Sequence, residues 1–484
     1  MTGLYTADQV RAAEAVVLAR TPEGALMQRA ATGLATVCLR LAGRAVGLRV
    51  TLLVGAGNNG GDALWAGAIL ARRGAAVTAL LLDPDRAHPA GLAALRRAGA
   101  RVVTAPDAAG SDRADLVLDG ITGIGGRGGL RPTAAAAVAD AVAGPGLLVA
   151  VDVPSGVDAD TGAVPGEAFP AQHTVTFGAV KPGLVVGEGR GYAGVVHLVD
   201  LGLELGAPSA RRFGDPDVAA RLPDPGAGDD KYSRGVVGVH AGSATYPGAA
   251  VLCTGAALRT RPGLVRYAGT AAEGVRAAWP EAIVTDGRPA DAGRVQAWVV
   301  GPGAGTDDEA RSVLAEVLAT ELPVLVDADA LTLLAASPEL AHDRSAPTVL
   351  TPHDREFTRF GWELGGDRVG AARSAARDLG VTVLLKGDAT VVAGPDGTTF
   401  VNGTGTPWLA TAGTGDVLSG VVGALLATGL DATEAAAAGA HLHGRAGQLA
   451  AAGGPLIASD LLRHLPTAVH LTTGRGGGLG GSGA

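Results

Sequence analysis

Two short stretches carry residue types from which an active site can be built. "GAGNNGGD" (55–62) sets Gly55, Gly57 and Gly60 in a G-x-G-x-x-G spacing between an apolar run and a helical pattern, so backbone N–H groups could receive a phosphate at a helix N-terminus. A further apolar run ends in Asp83, about twenty residues on, where a dinucleotide-binding loop has its ribose-binding carboxylate. Asn58, Asn59 and Asp62 exceed what a phosphate cradle needs: Asp62 either caps the helix or serves a ligand. "AGTGD" (412–416) has the same logic. Gly413, Gly415 and Gly420 lead into an apolar helix, and Asp416 stands where a carboxylate could take the proton of a hydroxyl attacking a phosphoryl group, with a helix cap as the alternative.

Ligands of parallel α/β sheets bind beyond the carboxyl ends of the strands, which directs attention to "DGITGIGGRGGLR" (119–131) and "VDVPSGVD" (151–158). Five of the seven residues 123–129 are glycine, which allows close backbone approach to a phosphate, and Arg127 or Arg131 could add charge. Asn59, Asp119 and Ser155 are hard oxygen ligands at three strand ends and together could hold a monovalent or divalent cation. Asp152 closes an apolar strand at the mouth of this cleft, where partial desolvation suits a carboxylate to acid/base work; the alternative is a cap on the next turn. Of 39 basic residues only Lys181, Lys231 and Lys386 are lysine, and Asn58, Asn59 and Asn402 are the only asparagines. All six fall in Gly-rich segments, as expected of positions that need a compact ammonium or an amide.

The elements that must position these groups alternate strand and helix twice. The first half has apolar strands near 49–54, 76–82, 101–104, 115–119, 147–152, 173–177 and 195–199, with helices at 8–19, 24–42, 62–73, 90–98 and 132–143. Pro, Gly and Asp break the pattern at 208–228, read as a linker. It resumes with strands near 235–240, 263–268, 295–300, 323–327, 347–351 and 381–386, a hairpin at 390–401, and helices at 248–260, 307–319, 367–379, 414–428 and 433–451. Two α/β domains, 1–212 and 213–470, with a flexible Gly-rich tail at 471–484, are expected. A net charge of −8 without a basic cluster argues against nucleic-acid binding. Two distant cysteines, charges near the start and no long apolar run fit a cytoplasmic protein without a membrane segment.

"GAGNNGGDALWAGAIL" with "VDVPSG" resembles the NAD(P)H-hydrate epimerases over most of residues 1–210. The resemblance implies a Rossmann-like three-layer αβα domain in which Asn58, Asn59, Gly60, Gly61 and Asp62, with Gly123, Ile124, Gly125, Gly126, Arg127, Gly128 and Gly129, hold a hydrated dinucleotide. It further implies K⁺ on Asn59, Asp119 and Ser155, Asp152 at the altered ring, and interconversion of R and S hydrates at C6. "NGTGTPWLATAGTGDVLSGVVGALL" resembles the ribokinase-like superfamily, and "DKYSRGVVGVHAGSATYPGAA", "VVGPGAG", "VLVDADAL", "LTPHDREF" and "LLKGDAT" follow in the order of the ADP-dependent NAD(P)H-hydrate dehydratases. That resemblance implies hydrate contacts from Ala249, Gly303, His353 and Asp416, and an adenine-nucleotide site of Lys386, Gly387, Asp388, Ala389, Thr390 and Gly415. In one departure, Asp354 and Arg355 follow His353 where the family has Pro-Gly. The implied chemistry is Asp416-assisted phosphorylation of the C6 hydroxyl by ADP with Mg²⁺, then loss of phosphate to give NAD(P)H and AMP. The expected partners are thus NADHX, NADPHX and ADP, and a homo-oligomer is the expected state.

Three other readings compete. A vitamin-precursor kinase fused to a dinucleotide-binding regulatory domain would share "GTGD", but "YPGAA" and "TPH" and the lack of a separate strand lid speak against it. A non-catalytic first half is disfavoured by the presence of Asp152 and Asn59. A dehydrogenase lacks an evident catalytic pairing for the first loop.

Overall fold

The computed structural model describes residues 1–474 except 107–108, 223–224 and 343. Most of the tail expected at 471–484 therefore lies outside the described residues. The chain divides into two compact units, Gly3–Ala210 and the chain from Arg211 onward, the latter with Met1–Thr2. Strand β1 (Thr2–Leu4) lies at that division.

The first unit contains α1 (Ala7–Leu18), α2 (Ala25–Ala42), β2 (Arg49–Val54), α3 (Asn58–Arg72), β3 (Ala76–Leu81), α4 (Pro89–Arg97) and β4 (Arg101–Val103). It continues with β5 (Leu116–Gly120), α5 (Pro132–Ala143), β6 (Leu147–Val151), β7 (His173–Phe177), α6 (Gly189–Ala193) and β8 (Val195–Val199). The strands form one parallel sheet in the order β4-β3-β2-β5-β6-β7-β8. β2, β5 and β6 are near-continuous buried apolar runs because helices cover both faces, while β7 buries Thr174 and Thr176 among its apolar residues. One core layer packs Leu34, Leu52, Leu64 and Leu118; the other packs Leu53, Val117, Val138 and Phe169. The strand order reverses between β2 and β5, so the loops leaving them form a crevice. Thr6 starts α1 with a capping box: its Oγ1 accepts from Gln9 N, and Gln9 Oε1 accepts from Thr6 N.

The second unit begins with β9 (Ala210–Arg212) and α7 (Asp215–Arg221), inside the stretch read as a linker. Turn-forming residues masked an apolar set there: Phe213, Val218 and Leu222 are buried in the core, and Phe213 packs on Phe400 with ring centroids 4.5 Å apart. Next come β10 (Val236–His240), α8 (Pro247–Arg259), β11 (Leu264–Ala268), α9 (Ala272–Ala278), β12 (Ile283–Thr285), β13 (Ala297–Val300), α10 (Asp308–Leu318), β14 (Val324–Val326) and α11 (Asp329–Ala336). After them are β15 (Thr348–Leu350), α12 (Asp354–Arg359), α13 (Arg368–Leu379), β16 (Thr382–Leu385), β17 (Val391–Ala393), β18 (Thr399–Val401), α14 (Thr414–Ala427), α15 (Ala432–Ala450) and α16 (Ala458–Thr472). The sheet runs β9-β18-β17-β16-β15-β14-β13-β10-β11-β12, parallel from β16 to β12, with the expected hairpin at β17 and β18 antiparallel. The apolar helix α14 packs tightly on α8: a Cβ on Gly420 would collide with the carbonyl oxygen of Cys253. No described helix is long and apolar enough to cross a membrane.

Candidate functional site

Each unit has its own cavity. That of the first unit, about 1150 Å³, opens over the crevice and is lined by Asn58, Asn59, Asp62, Gly123, Ile124, Gly125, Gly126 and Asp152, with Arg11 and Glu14 from α1. Asp62 is no helix cap: α3 starts at Asn58 behind Gly57, so Asp62 sits a full turn inside and points at the cavity wall. Gly60 and Gly61 are buried behind the lining, where the backbone comes close; a Cβ on Gly60 would strike the carbonyl oxygen of Gly55. Arg127, Gly128 and Gly129 are outside the lining; Arg127 is exposed and pairs with Asp158 at 3.6 Å.

Asp152 follows β6 with a φ of 67°, a conformation that costs a non-glycine residue energy and has to be imposed by its surroundings. Lys181 imposes it. Its Nζ, on a side chain 1 % exposed, donates to Asp152 Oδ1 at 2.6 Å, to Thr176 Oγ1 at 3.0 Å and to the Phe177 carbonyl at 2.9 Å. The sequence flags Lys181 only through the rarity of lysine, and gives it no role. Beneath the cavity, Asp119 is wholly buried; Ser155 Oγ and N donate to it at 2.7 and 2.8 Å, and Ile121 N at 3.2 Å. Burial, against those hydrogen bonds, raises its pKa to about 6. Asn59 is the third member of this group: its Oδ1 abuts Gly123, and its buried Nδ2 has no hydrogen-bond partner.

The second cavity, about 1010 Å³, lies at the carboxyl ends of β15 and β16 and the N-terminus of α14. His353, Lys386, Gly387, Asp388, Thr390 and Gly415 line it; Ala389 is buried in the wall. Lys386 Nζ donates to Asp327 Oδ1 at 2.9 Å and lies 3.6 Å from Glu356, while Ser419 Oγ donates to Asp327 Oδ2 at 2.7 Å. Burial works against the Lys386 charge, yet Asp327 and Glu356 raise its pKa above the ordinary value. Asp416, in the first turn of α14, is pushed up to about 7 by burial, then by Asp327 and Asp329, with Lys386 opposing. Ala249 and Gly303 meet next to Tyr246, outside this lining. His353 caps α12: its Nδ1 accepts from Glu356 N at 3.2 Å and Glu356 Oε2 accepts from its own N at 2.8 Å. Asp354 pairs with Arg368 at 2.9 Å. Sequence reading quoted Asp327 inside "VLVDADAL" without a role, and missed Glu356 and Ser419, whose importance rests on contacts distant in sequence.

Fold and cavities together define a two-unit α/β enzyme with a dinucleotide-type crevice in one unit and a helix N-terminal anion pocket beside a perturbed aspartate in the other. Residues 237–466 match the family described as NAD(P)H-hydrate dehydratase, and residues 23–183 match YjeF-related protein N-terminus. The bifunctional NAD(P)H-hydrate repair enzyme of Mycobacterium tuberculosis is 55% identical over 442 residues, 90% of this chain and 92% of that one. The enzyme of the same name from Mycobacterium leprae is 52% identical over 479 residues, 97% and 99% of the two chains, and that of Escherichia coli 34% over 420 residues, 83% and 80%. A solved ribokinase-like superfamily protein from Enterococcus faecalis, 24% identical with a TM-score of 0.51 over 56% of this chain and 98% of its own, shares the fold. The chain belongs to the bifunctional NAD(P)H-hydrate repair enzymes, which join an epimerase to a dehydratase.

Proposed function

We propose that residues 1–212 interconvert the R and S hydrates of NADH and NADPH at C6, and that residues 213–470 dehydrate the S form at the expense of ADP. The observation that carries this reading is the placement of one aspartate beside a lysine in each unit: Asp152 lines the first cavity, and Asp416 follows Gly415, which lines the second together with Lys386. Asp416 takes the proton of the C6 hydroxyl as its oxygen attacks the β-phosphoryl of ADP; AMP leaves, and elimination of phosphate regenerates the dihydronicotinamide. N–H groups at the start of α14, with Gly415 and Lys386, hold the phosphates, and Gly387 to Thr390 hold the rest of the nucleotide. His353, Ala249 and Gly303 place the hydrate against Asp416. Mg²⁺ bound to the phosphates of the nucleotide would neutralise charge on the transferring group.

In the first unit Asn58, Asn59 and Asp62 with Gly123 to Gly126 face the dinucleotide, and the bare backbone of Gly60 and Gly61 behind them lets the loop come close. K⁺ would be held by Asn59, Asp119 and Ser155: a wholly buried carboxylate beside the hydroxyl of Ser155 and the amide oxygen of Asn59 is a hard oxygen set that fits such a cation, whose charge would tie together the loops after β2, β5 and β6.

The test is recovery of reduced nicotinamide absorbance from an equal mixture of the two hydrates with ADP, Mg²⁺ and K⁺. Wild type recovers all of it, Asp152→Asn about half before slow spontaneous epimerisation, and Asp416→Asn none. Failure to recover any with ADP or ATP overturns the reading in favour of the kinase alternative.

A further inference from the structure

The first cavity holds more acid–base groups than hydrate binding uses. Asp62 from α3 and Glu14 from α1 line it together with Asp152. Asp152 is committed: Lys181 Nζ, Thr176 Oγ1 and, at 3.4 Å, Phe177 N all converge on its Oδ1. Lys181 spends all three donors inside the protein and has none left for a ligand. Asp62 is the opposite case. It accepts no hydrogen bond from a described side chain, and burial, then Asp152 and Glu14, against Lys181, raise its pKa well above the ordinary value for an aspartate. Glu14 shifts the same way, from burial and Asp152, but Arg11 as well as Lys181 counters it. His88 of α4 packs on Gly61 beside Asp62. One cavity thus presents a carboxylate fixed against an ammonium and a second, unengaged carboxyl group on another strand-end element.

Resting on the epimerase reading above, we propose that Asp62 is the acid that works with Asp152 as base in a ring-opening epimerisation, and that Lys181 is the positioning residue that fixes Asp152 for it. C6 of the hydrate carries the hydroxyl and is bonded to ring N1. Asp152 removes the hydroxyl proton, the O–H electron pair forms the aldehyde C=O, the C6–N1 bond breaks, and its electron pair on N1 takes the proton of Asp62. Rotation about C5–C6 presents the other face of the aldehyde. N1 then attacks C6, returning its proton to Asp62, while the new hydroxyl recovers its proton from Asp152. Nothing is oxidised and no co-reactant is consumed.

The test uses the full chain and one purified epimer without ADP, following the appearance of the other by chromatography across about pH 5 to 9. The wild-type rate falls on a high-pH limb, because Asp62 must be protonated to deliver its proton to N1. Asp62→Asn lowers the rate at least about 100-fold at saturating hydrate and removes the high-pH limb, while Asp62→Glu restores part of the rate. Glu14→Gln keeps the high-pH limb. Lys181→Met lowers kcat for epimerisation at least about tenfold with KM within about threefold, the mark of a residue that orients the base rather than one that binds the hydrate. ADP-dependent dehydration of the S epimer by each variant verifies that the chain is folded. An Asp62→Asn enzyme that keeps its rate and its high-pH limb overturns the proposal alone; a wild type that does not accelerate epimerisation at any pH overturns the epimerase reading itself.

Discussion

Asp416 is the group whose environment most directly sets a measurable pH dependence. Burial and the carboxylates of Asp327 and Asp329 raise it to about 7, and it has to be ionised to take a proton. Dehydration of the S hydrate should therefore fall about tenfold per pH unit below that midpoint and level off above it. Lys386 opposes the upward shift, so Lys386→Met should move the midpoint to higher pH, as well as weakening ADP binding; steady-state kcat/KM against pH reads both effects. Asp119 allows a second expectation. If K⁺ meets its buried charge, exchanging K⁺ for tetramethylammonium should slow epimerisation by wild type, whereas Asp119→Asn should be slow in both salts. Residue types and spacing made both aspartates legible, because each closes an apolar strand or opens a Gly-rich helix. Glu14 was not legible: nothing in "TADQVRAAE" says that the one-turn spacing from Val10 turns its carboxylate into a cavity built by residues more than forty positions away.

The contact between α8 and α14 shows how the anion pocket is held in place. Gly420 sits against the Cys253 carbonyl and Gly423 against Val299, so the helix that carries Asp416 is seated by backbone contact. Gly420→Ala should destabilise the second unit by on the order of 2 kcal/mol or more, since the collision is with main chain and no side chain can swing away; thermal unfolding measures it. The turn at His353 behaves differently. Its φ and ψ of −85° and 175° are extended, as a residue before proline requires, and Asp354 is the first residue of α12, where proline is well tolerated. Asp354→Pro with Arg355→Gly, the family's usual pair, should therefore change stability by no more than about 1 kcal/mol, because the ion pair to Arg368 that it removes is partly exposed. The departure from Pro-Gly leaves the capping geometry of His353 intact. Alternating apolar strands and helices made most strands and helices of both units readable along the chain but not their order within each sheet, and β9 and α7 were hidden because Pro, Gly and Asp dominate the stretch around only three core residues. Helix α16, with Pro466 inside it and Gly-Gly-Pro before it, was obscured in the same way.

Carrying both activities on one chain matters only if the product of one site reaches the other. Every residue lining the first cavity falls within Gly3–Ala210, and every residue lining the second falls after Arg211. Among the described residues, the lining of each cavity comes from its own unit. An inactive aspartate in one half should then leave the chemistry of the other untouched. Mixing Asp152→Asn chains with Asp416→Asn chains in equal amounts should recover the reduced nicotinamide of both epimers, at a rate that rises with protein concentration because the S hydrate crosses between molecules through solution. Wild type at the same concentration of active sites gives the comparison. Equal rates mean that the hydrate diffuses freely between units, and a wild type that is faster at low concentration, with the two curves converging as concentration rises, measures the benefit of joining the units in one polypeptide.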